Sequence, residues 1–597
     1  MKGSARRLAI AVLGVTGTLA ALPVPSAHAS VPCTYGLCVI TTSDSGVGSL
    51  RQAILDANNL ADTDTIVFHF TGSGVHVITP TSDLPVIKYP VVIDGYTDAG
   101  AVPATATTPA TLTVTINGTN MATGLTLQAS DSVITGLVVN RAAGTSGRCG
   151  GVGICVLGDR DTVRGNYVGI GHASKVAEPN LTDGIKVTGA DDVIGGTGLA
   201  DRNVISANTT NGIELTATAA RCVIEGNLIG TDDSATTGMG NATGVLVRGS
   251  GAQLGGTDPA ARNVVSGNTV DGVRVAAGTR TTIAGNLIGV TGDGLGELGN
   301  TRYGVWLNGA SDTQLGVNGA GNTIAGNHDD GIHVTDGDVA RGNVIAANLV
   351  GLTAVNTPGG VGGMPNRGDG ISVETHGLLI GGDLPGDGNL IGTNGQNGIL
   401  LAPQSTQTVV HGNVIGADST GAGGLGNGWD GIQILDSTAN EIGSADPAVP
   451  PNVITSNRRG VYVTGPLSAD NPILGNSIHD NAGLGIELNP NLMTSPVATT
   501  VTATGGTTSI TWHVVVAANT RYRLEWFAST ACDGSGSGEG TTFLDFREFT
   551  TKNLTDVFIP TTVTEPSGTV ITATLTVMLS PTTYGSTSEF SPCVTVP

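Results

Sequence analysis

Charge is scarce in this sequence: Asp, Glu, Lys and Arg make up 12% of its 597 residues, and aromatic residues only 3%. With 92 glycines beside so few strong helix formers, few helices are expected. Solubility has to come from Asn, Thr, Ser and backbone groups. Cations are the scarcer of the two signs, 26 Lys and Arg against 48 Asp and Glu, for a net charge of −22. That balance counts against nucleic acid and anionic membrane as partners. It also repels acidic polysaccharides overall, unless a local basic patch or bound cations intervene.

Long apolar runs are absent after the first. Lys2, Arg6 and Arg7 precede an apolar run from Leu8 to Leu22 that ends in Ala27-His28-Ala29. This reads as a secretory signal peptide, residues 1–29, cut before Ser30. The run is about 15 residues, short of the roughly 20 that a spanning helix needs, so no membrane insertion is expected. The ending from Glu589 to Pro597 carries no hydrophobic tail or sorting signal, so retention at a cell surface would be non-covalent. The expected product is secreted, extracellular or surface-associated. Seven cysteines then suggest disulfides, Cys33 with Cys38, Cys149 with Cys155, and Cys532 with Cys593, although sequence alone does not prove the pairing. Cys222 is left over and reads as a small inward apolar group.

What the chain does have is repetition. A polar residue, then Gly, then Ile or Val, then a variable residue and often a second aliphatic recurs with Gly at 184, 212, 244, 272, 304, 331, 370, 398, 431, 460 and 485. Apolar residues alternate with period two in runs of three to five, which fits short strands and no helical solenoid. A second phrase, Gly or Ala before Asn, recurs at Asn166, Asn227, Asn286, Asn348, Asn413 and Asn476, 59 to 65 residues apart. An interleaved set runs through Asn208, Asn268, Asn327, Asn394 and Asn457. Two coil types therefore alternate. Each coil is too short to bury an apolar face alone, and stacking in register solves that. Asn at a fixed turn position can adopt the left-handed conformation and bond its equivalents above and below, which makes the asparagines scaffold.

From about Thr111 to Asn491 this pattern resembles the secreted right-handed parallel β-helix repeat family, which includes pectate lyases, polygalacturonases, phage tailspikes and many uncharacterised surface proteins. The resemblance implies an all-β solenoid and says far less about activity. Before it, residues 30–110 read as an N-terminal cap and first coils. The segment Gly48 to Asn58 has helical apolar spacing with Ser49 as N-cap. It looks like the Ser-Leu-Arg-Glu-Ala segment that opens many bacterial β-helix surface proteins, with Gly48 where that family has Cys and Gln52 where it has Glu. Residues 497–597 turn Thr-rich and aromatic. Strands are predicted at Ser509 to Val515, Arg521 to Ala528, Thr542 to Phe549, Val557 to Pro560 and Val570 to Val577, which argues for an antiparallel β-sandwich. The module resembles one often appended to such proteins, where it would cap the rod or bind sugar or cell wall.

The variable position of the first phrase should point outward. Coil by coil it reads Lys186, Glu214, Leu246, Arg274, Trp306, His333, Ser372, Leu400, Gln433, Tyr462 and Glu487. Arg274, Trp306 and His333 fall on consecutive coils beside the turn residues Asp271, Tyr303, Asp330 and Asp369. Aromatic faces beside Arg and carboxylates suit a sugar chain, whose C–H faces stack on rings while its hydroxyls bond to charged groups. Arg274, Tyr303, Trp306 and Tyr462 are the candidate binding residues.

For hydrolysis two carboxyls must flank the scissile bond. Asp330 and Asp369, assisted by His333 or His376, are the candidates. The Gly-His-Gly turn and Arg-Ile-Lys strand of polygalacturonases have only partial counterparts in Thr375-His376-Gly377 and Gly184-Ile185-Lys186. A calcium-dependent lyase would draw on Asp329, Asp330, Asp336 and Asp338 near Arg341. The leading expectation is a monomeric binding protein for extracellular polysaccharide, cell-wall glycan or a cell surface, with no required cofactor and Ca2+ as the cation an acidic cluster can take. The alternative is a glycoside hydrolase or lyase acting on the same face, and a plain extracellular spacer is the third. Glycine strings such as Gly292 to Gly296 lack the strand-to-helix context of phosphate binding. No Cys and His spacing suggests zinc.

Overall fold

The computed structural model describes residues 37–60, 62–335, 342–354, 360–491 and 493–597. The expected leader and Cys33 lie outside them. Three parallel sheets of 15, 14 and 13 strands wind through the chain as a β-helix, each strand pairing with its counterpart one coil away. A typical coil runs from the 13-stranded sheet (Ile185–Val187) through the 15-stranded sheet (Val193–Gly195) to the 14-stranded sheet (Val204–Ile205). The next coil then begins at Asn211–Leu215. Inward residues form columns of stacked Ile, Val and Leu. Ile185, Ile213, Val245, Val273, Val305 and Ile332 follow one another at no more than 1% exposure. Burying each such side chain contributes roughly 1.5–3 kcal/mol, but only when the neighbouring coils are present.

Two asparagine ladders of eleven rungs each brace the corners on either side of the 14-stranded sheet. One runs from Asn166 to Asn476 and the other from Asn180 to Asn481, with each side-chain amide donating to the Oδ1 of the next rung at 2.8 to 3.3 Å. The two repeating sets of the sequence are alternate rungs of these ladders; Asn203, Asn263, Asn322, Asn389 and Asn452 complete the first.

The conformational expectation needs correction. At the rungs of the two repeating sets the left-handed residue is the one before the asparagine, as in Gly165 (φ 66°), Ala207 (φ 61°), Gly267 (φ 70°) and Thr393 (φ 57°). Turning the chain one residue early leaves the asparagine side chain aimed into the stack. That is why Gly or Ala precedes it so often.

The alternation of coils has a visible cause. Every second coil extends a small antiparallel hairpin after its strand in the 14-stranded sheet, at Ile170↔Ala177, Thr231↔Gly238, Val290↔Glu297, Leu352–Ala354 with Val361–Gly363, and Ala417↔Gly423.

At the N-terminal end the helix Leu50–Ala57 starts at Ser49, whose Oγ accepts the Gln52 N–H. It buries Leu50, Ala53, Ile54 and Ala57 in the same core as the coils. At the other end residues 497–595 form two antiparallel sheets with a core of their own around Trp512, Leu524 and Trp526. Phe527 and Phe590 of this module pack into the core of the β-helix. The Glu539 carboxylate accepts the Asn481 backbone N–H at 3.1 Å and its side-chain amide at 3.2 Å. It stands where a twelfth asparagine would be. Thr587 Oγ1 and the Glu589 carboxylate accept the N–H groups of Ile473 and Leu488, and Gly540 pairs with Ile478. The last strand of every long sheet thus meets the module. Cys149 bonds Cys155 and Cys532 bonds Cys593, while Cys222 is buried as a free thiol.

Candidate functional site

Strand register on the 13-stranded sheet places all eleven variable residues in one unbroken column, each opposite the next. Period-two alternation turns them outward because their neighbours on both sides face the core. The column is more packed than an ordinary solvent-facing row: Glu214, Leu246, His333 and Ser372 are buried by the residues around them. Lys186 and Glu214 close an ion pair at 2.7 Å at one end.

The middle of the column carries the densest cluster. Arg274 lies over the Trp306 ring, 3.9 Å from its centroid. Tyr303 stacks on His333 with centroids 4.2 Å apart and planes 9° apart, and meets Trp306 edge-on at 5.8 Å. Trp306 Nε1 donates to Thr335 Oγ1 at 2.8 Å, which fixes the indole along the strand. Arg302, which the column does not include, is 4.5 Å from the Trp306 centroid and grips Asp271 through two bonds of 2.8 and 2.7 Å. Its signal lay in the sequence: it stands two residues before Gly304, beside the turn position that Tyr303 occupies. The Arg274 Nε has no hydrogen-bond partner, and burial lowers that guanidinium's pKa. Trp306, Tyr303 and Arg274 are half-buried, so part of each side chain stays accessible to a ligand.

The two carboxyls considered for hydrolysis sit on neighbouring coils at the edge of this cluster, both buried. Asp330 Oδ2 bonds the His333 Nδ1 at 3.0 Å while its Oδ1 accepts the Asp369 N–H at 2.8 Å. Asp369 Oδ1 in turn accepts the Asn397 N–H at 2.8 Å and its side-chain amide at 2.9 Å. Asn397 Oδ1 continues the series by accepting the Asp430 N–H at 3.2 Å. These carboxylates therefore brace one coil against the next, as short polar side chains at turns do. Burial, reinforced by Asp330, pushes the Asp369 carboxyl up to about 7. Asp329 is also raised by burial and by Asp330. Burial, with Asp329 next, moves the Tyr303 phenol up to about 12.

His376 follows the strand Ile371–Glu374 and stands at the opposite edge of the sheet from Asp369. Tyr462 is five strand steps from Trp306, about 24 Å at the usual spacing. It belongs to a second cluster, where the Arg459 guanidinium lies 3.4 Å from the Tyr462 centroid and binds Asp430 and Glu487. Asp336, Asp338 and Arg341 lie outside the described residues. Among the described residues no three His, Cys, Asp or Glu side chains converge as a metal site.

No family model matches this sequence. No curated protein matches it either. Among solved structures, the A-module of the Azotobacter vinelandii mannuronan C-5 epimerase AlgE6 is similar at 14% identity and a TM-score of 0.33, over 76% of this chain and 97% of that one. The catalytic unit of a thermostable α-1,3-glucanase from Streptomyces thermodiastaticus is similar at 14% identity and a TM-score of 0.34, over 77% and 70%. A tailspike protein of E. coli bacteriophage HK620 is similar at 12% identity and a TM-score of 0.22, over 90% and 89%. The fold rests on the register of this chain's own strands: it is an all-β, parallel β-helical protein that ends in antiparallel sheets.

Proposed function

We infer that this is an exported, non-catalytic rod that holds an extracellular glycan along the outward column of its 13-stranded sheet, with the N-terminal helix and C-terminal module as end caps. The observation that carries the reading is the Arg274, Trp306, Tyr303 and His333 cluster on three consecutive coils. Its half-open rings offer stacking surfaces to sugar C–H faces, and its guanidinium and phenol groups offer bonds to hydroxyls. Asp271, Asp329, Asp330 and Asp369 outnumber Arg274 and Arg302 there, which favours a neutral glycan. The commitment of Asp330 and Asp369 to neighbouring backbone favours binding over bond cleavage.

One observation favours a second reading, a polysaccharide hydrolase or lyase. Burial holds the Asp369 proton to about 7, and a carboxyl raised to that range can serve as a general acid. Incubating the purified protein with neutral and acidic polysaccharides, with and without calcium, separates the two. Retention without new reducing or unsaturated ends, weakened by Trp306→Ala, is expected of the binding rod. New ends that vanish in Asp330→Asn would establish the enzyme.

A further inference from the structure

The third corner of the coil, where the chain passes from the 13-stranded to the 15-stranded sheet, has its own column of inward residues. It includes Ser132, Asp161, Asp192, Cys222, Asn343, Asn440 and Asn471. Where the rung is asparagine, its two ends do separate work. Asn343 Oδ1 accepts the Thr313 N–H of the preceding coil at 2.9 Å, and its Nδ2 donates to the Ala310 carbonyl, three residues before Thr313, at 2.8 Å. Asn471 does the same with the Asn440 N–H at 2.9 Å and the Ser437 carbonyl at 2.8 Å.

Asp161 and Asp192 occupy this position on adjacent coils with no exposure at all. Asp161 Oδ1 accepts the Ser132 N–H and Asp192 Oδ1 accepts the Asp161 N–H, both at 2.8 Å. The second oxygen of each takes the place of the asparagine NH2 group. The matching carbonyls, three residues before Ser132 and Asp161, are those of Ala129 and Gly158. The thiol of Cys222, one rung further on, points at the equivalent carbonyl of Gly189 at 3.6 Å. Asp161 Oδ2 is buried with no partner. An ionised carboxylate would set two acceptor oxygens against each other there, whereas a protonated one donates as the amide does.

We propose that Asp161 and Asp192 are neutral carboxylic acids that act as asparagine-like rungs, donating to the Ala129 and Gly158 carbonyls, and that losing these protons loosens this part of the rod. The charged groups around them do not remove the need for the protons. Asp131 is held by Arg160 and Asp191 by Arg221, at the surface. Asp159 accepts the Ala190 N–H, and the thiol of Cys222 is 4.0 Å from Asp192 Oδ2. Among the described residues no cation is paired with Asp161 or Asp192. Burial raises Asp161 to about 8 and Asp192 to about 7.

The direction of the pH effect follows. Both acids bind more protons folded than unfolded, where their pKa is about 3.9. Their contribution is complete below about pH 4 and is lost as pH rises through the folded values of about 7 and 8.

Hydrogen exchange of the full chain tests this, with residues 129–193 read against the C-terminal module as internal reference. Between about pH 5 and about pH 7 the wild-type segment should gain at least about tenfold in relative opening, and the Asp161→Asn/Asp192→Asn variant should not. The infrared band of a protonated carboxyl, present near neutral pH, should weaken in Asp161→Asn alone, which serves if the double variant does not fold. Identical relative exchange in wild type and double variant overturns the proposal, as does an unchanged carboxyl band in the single variant.

Discussion

In the rod the buried side chains are Ile, Val and Leu in columns, spaced one coil apart and tied at the corners by amide ladders. In the C-terminal module they are Trp512, Tyr522, Leu524 and Trp526 between two antiparallel sheets. The module closes a core within about a hundred residues. A coil of the rod closes nothing, since half of each of its contacts belongs to the coil above or below. The difference teaches why the module sits where it does. The rod's last asparagine, its last strands and its open core all need partners, and Glu539, Thr587, Glu589 and Phe590 supply them from an element that folds around its own core.

The largest expected effect lies in the middle of a ladder. Replacing Asn268 with Leu keeps its bulk but leaves the Asn241 N–H without an acceptor, takes one acceptor from the Asn241 side-chain amide and removes one of the two donors to the Asn300 Oδ1. That should cost about 3 kcal/mol or more in chemical denaturation. If the loss proves as small as for a surface change, the ladder does not brace the rod and the contrast with the module fails.

At the junction, Glu539→Ala strips the acceptor from the Asp480 and Asn481 N–H groups. A loss of about 2 kcal/mol is expected in the rod's last coils, read as faster hydrogen exchange there while the module's inner strands stay protected. Glu539→Gln should recover much of it. Equal loosening of both regions would show that they are one cooperative unit.

On the outward column, Trp306→Ala should weaken glycan retention roughly tenfold, about 1.4 kcal/mol, with the denaturation midpoint nearly unchanged. A fall in midpoint with retention intact would make the indole part of the scaffold. Smallest of all should be Arg160→Gln, which breaks an exposed pair with Asp131. No measurable shift in the thermal midpoint is expected from a solvated ion pair.

The cluster was only partly legible in advance. Trp306, His333 and Arg274 could be placed on one face because a strand has period two and the repeating Gly marks its start. The position of Arg302 beside the Tyr303 turn was legible too, but not that its guanidinium reaches the column from outside the strand to meet Trp306 and Asp271. The Asp330 and Asp369 carboxyls looked available for chemistry in sequence. In the structure both Asp330 oxygens and the Asp369 Oδ1 are taken up, by His333, by the Asp369 N–H and by the Asn397 backbone and side-chain amides. A residue's type and position do not reveal which neighbour occupies its hydrogen bonds.

By itself the sequence determined the winding of the chain and the membership of its columns. Stacking in register is the one way for short alternating strands at near-regular intervals to bury their apolar face, and the same regularity aligns every repeated position. The spacing of Cys149 from Cys155, and Cys532 with Cys593 at the two ends of one module, also pointed to the pairs that form. Only the tertiary structure decided where asparagine passes its left-handed turn to the preceding residue, that Glu539 completes a ladder, and that Asp161 and Asp192 stack as rungs. The asparagine contacts join residues 23 to 44 apart and Glu539 reaches Asn481 across 58, over loops and hairpins of unequal length. Register across such gaps is set by packing, and a count of residues along the chain does not contain it.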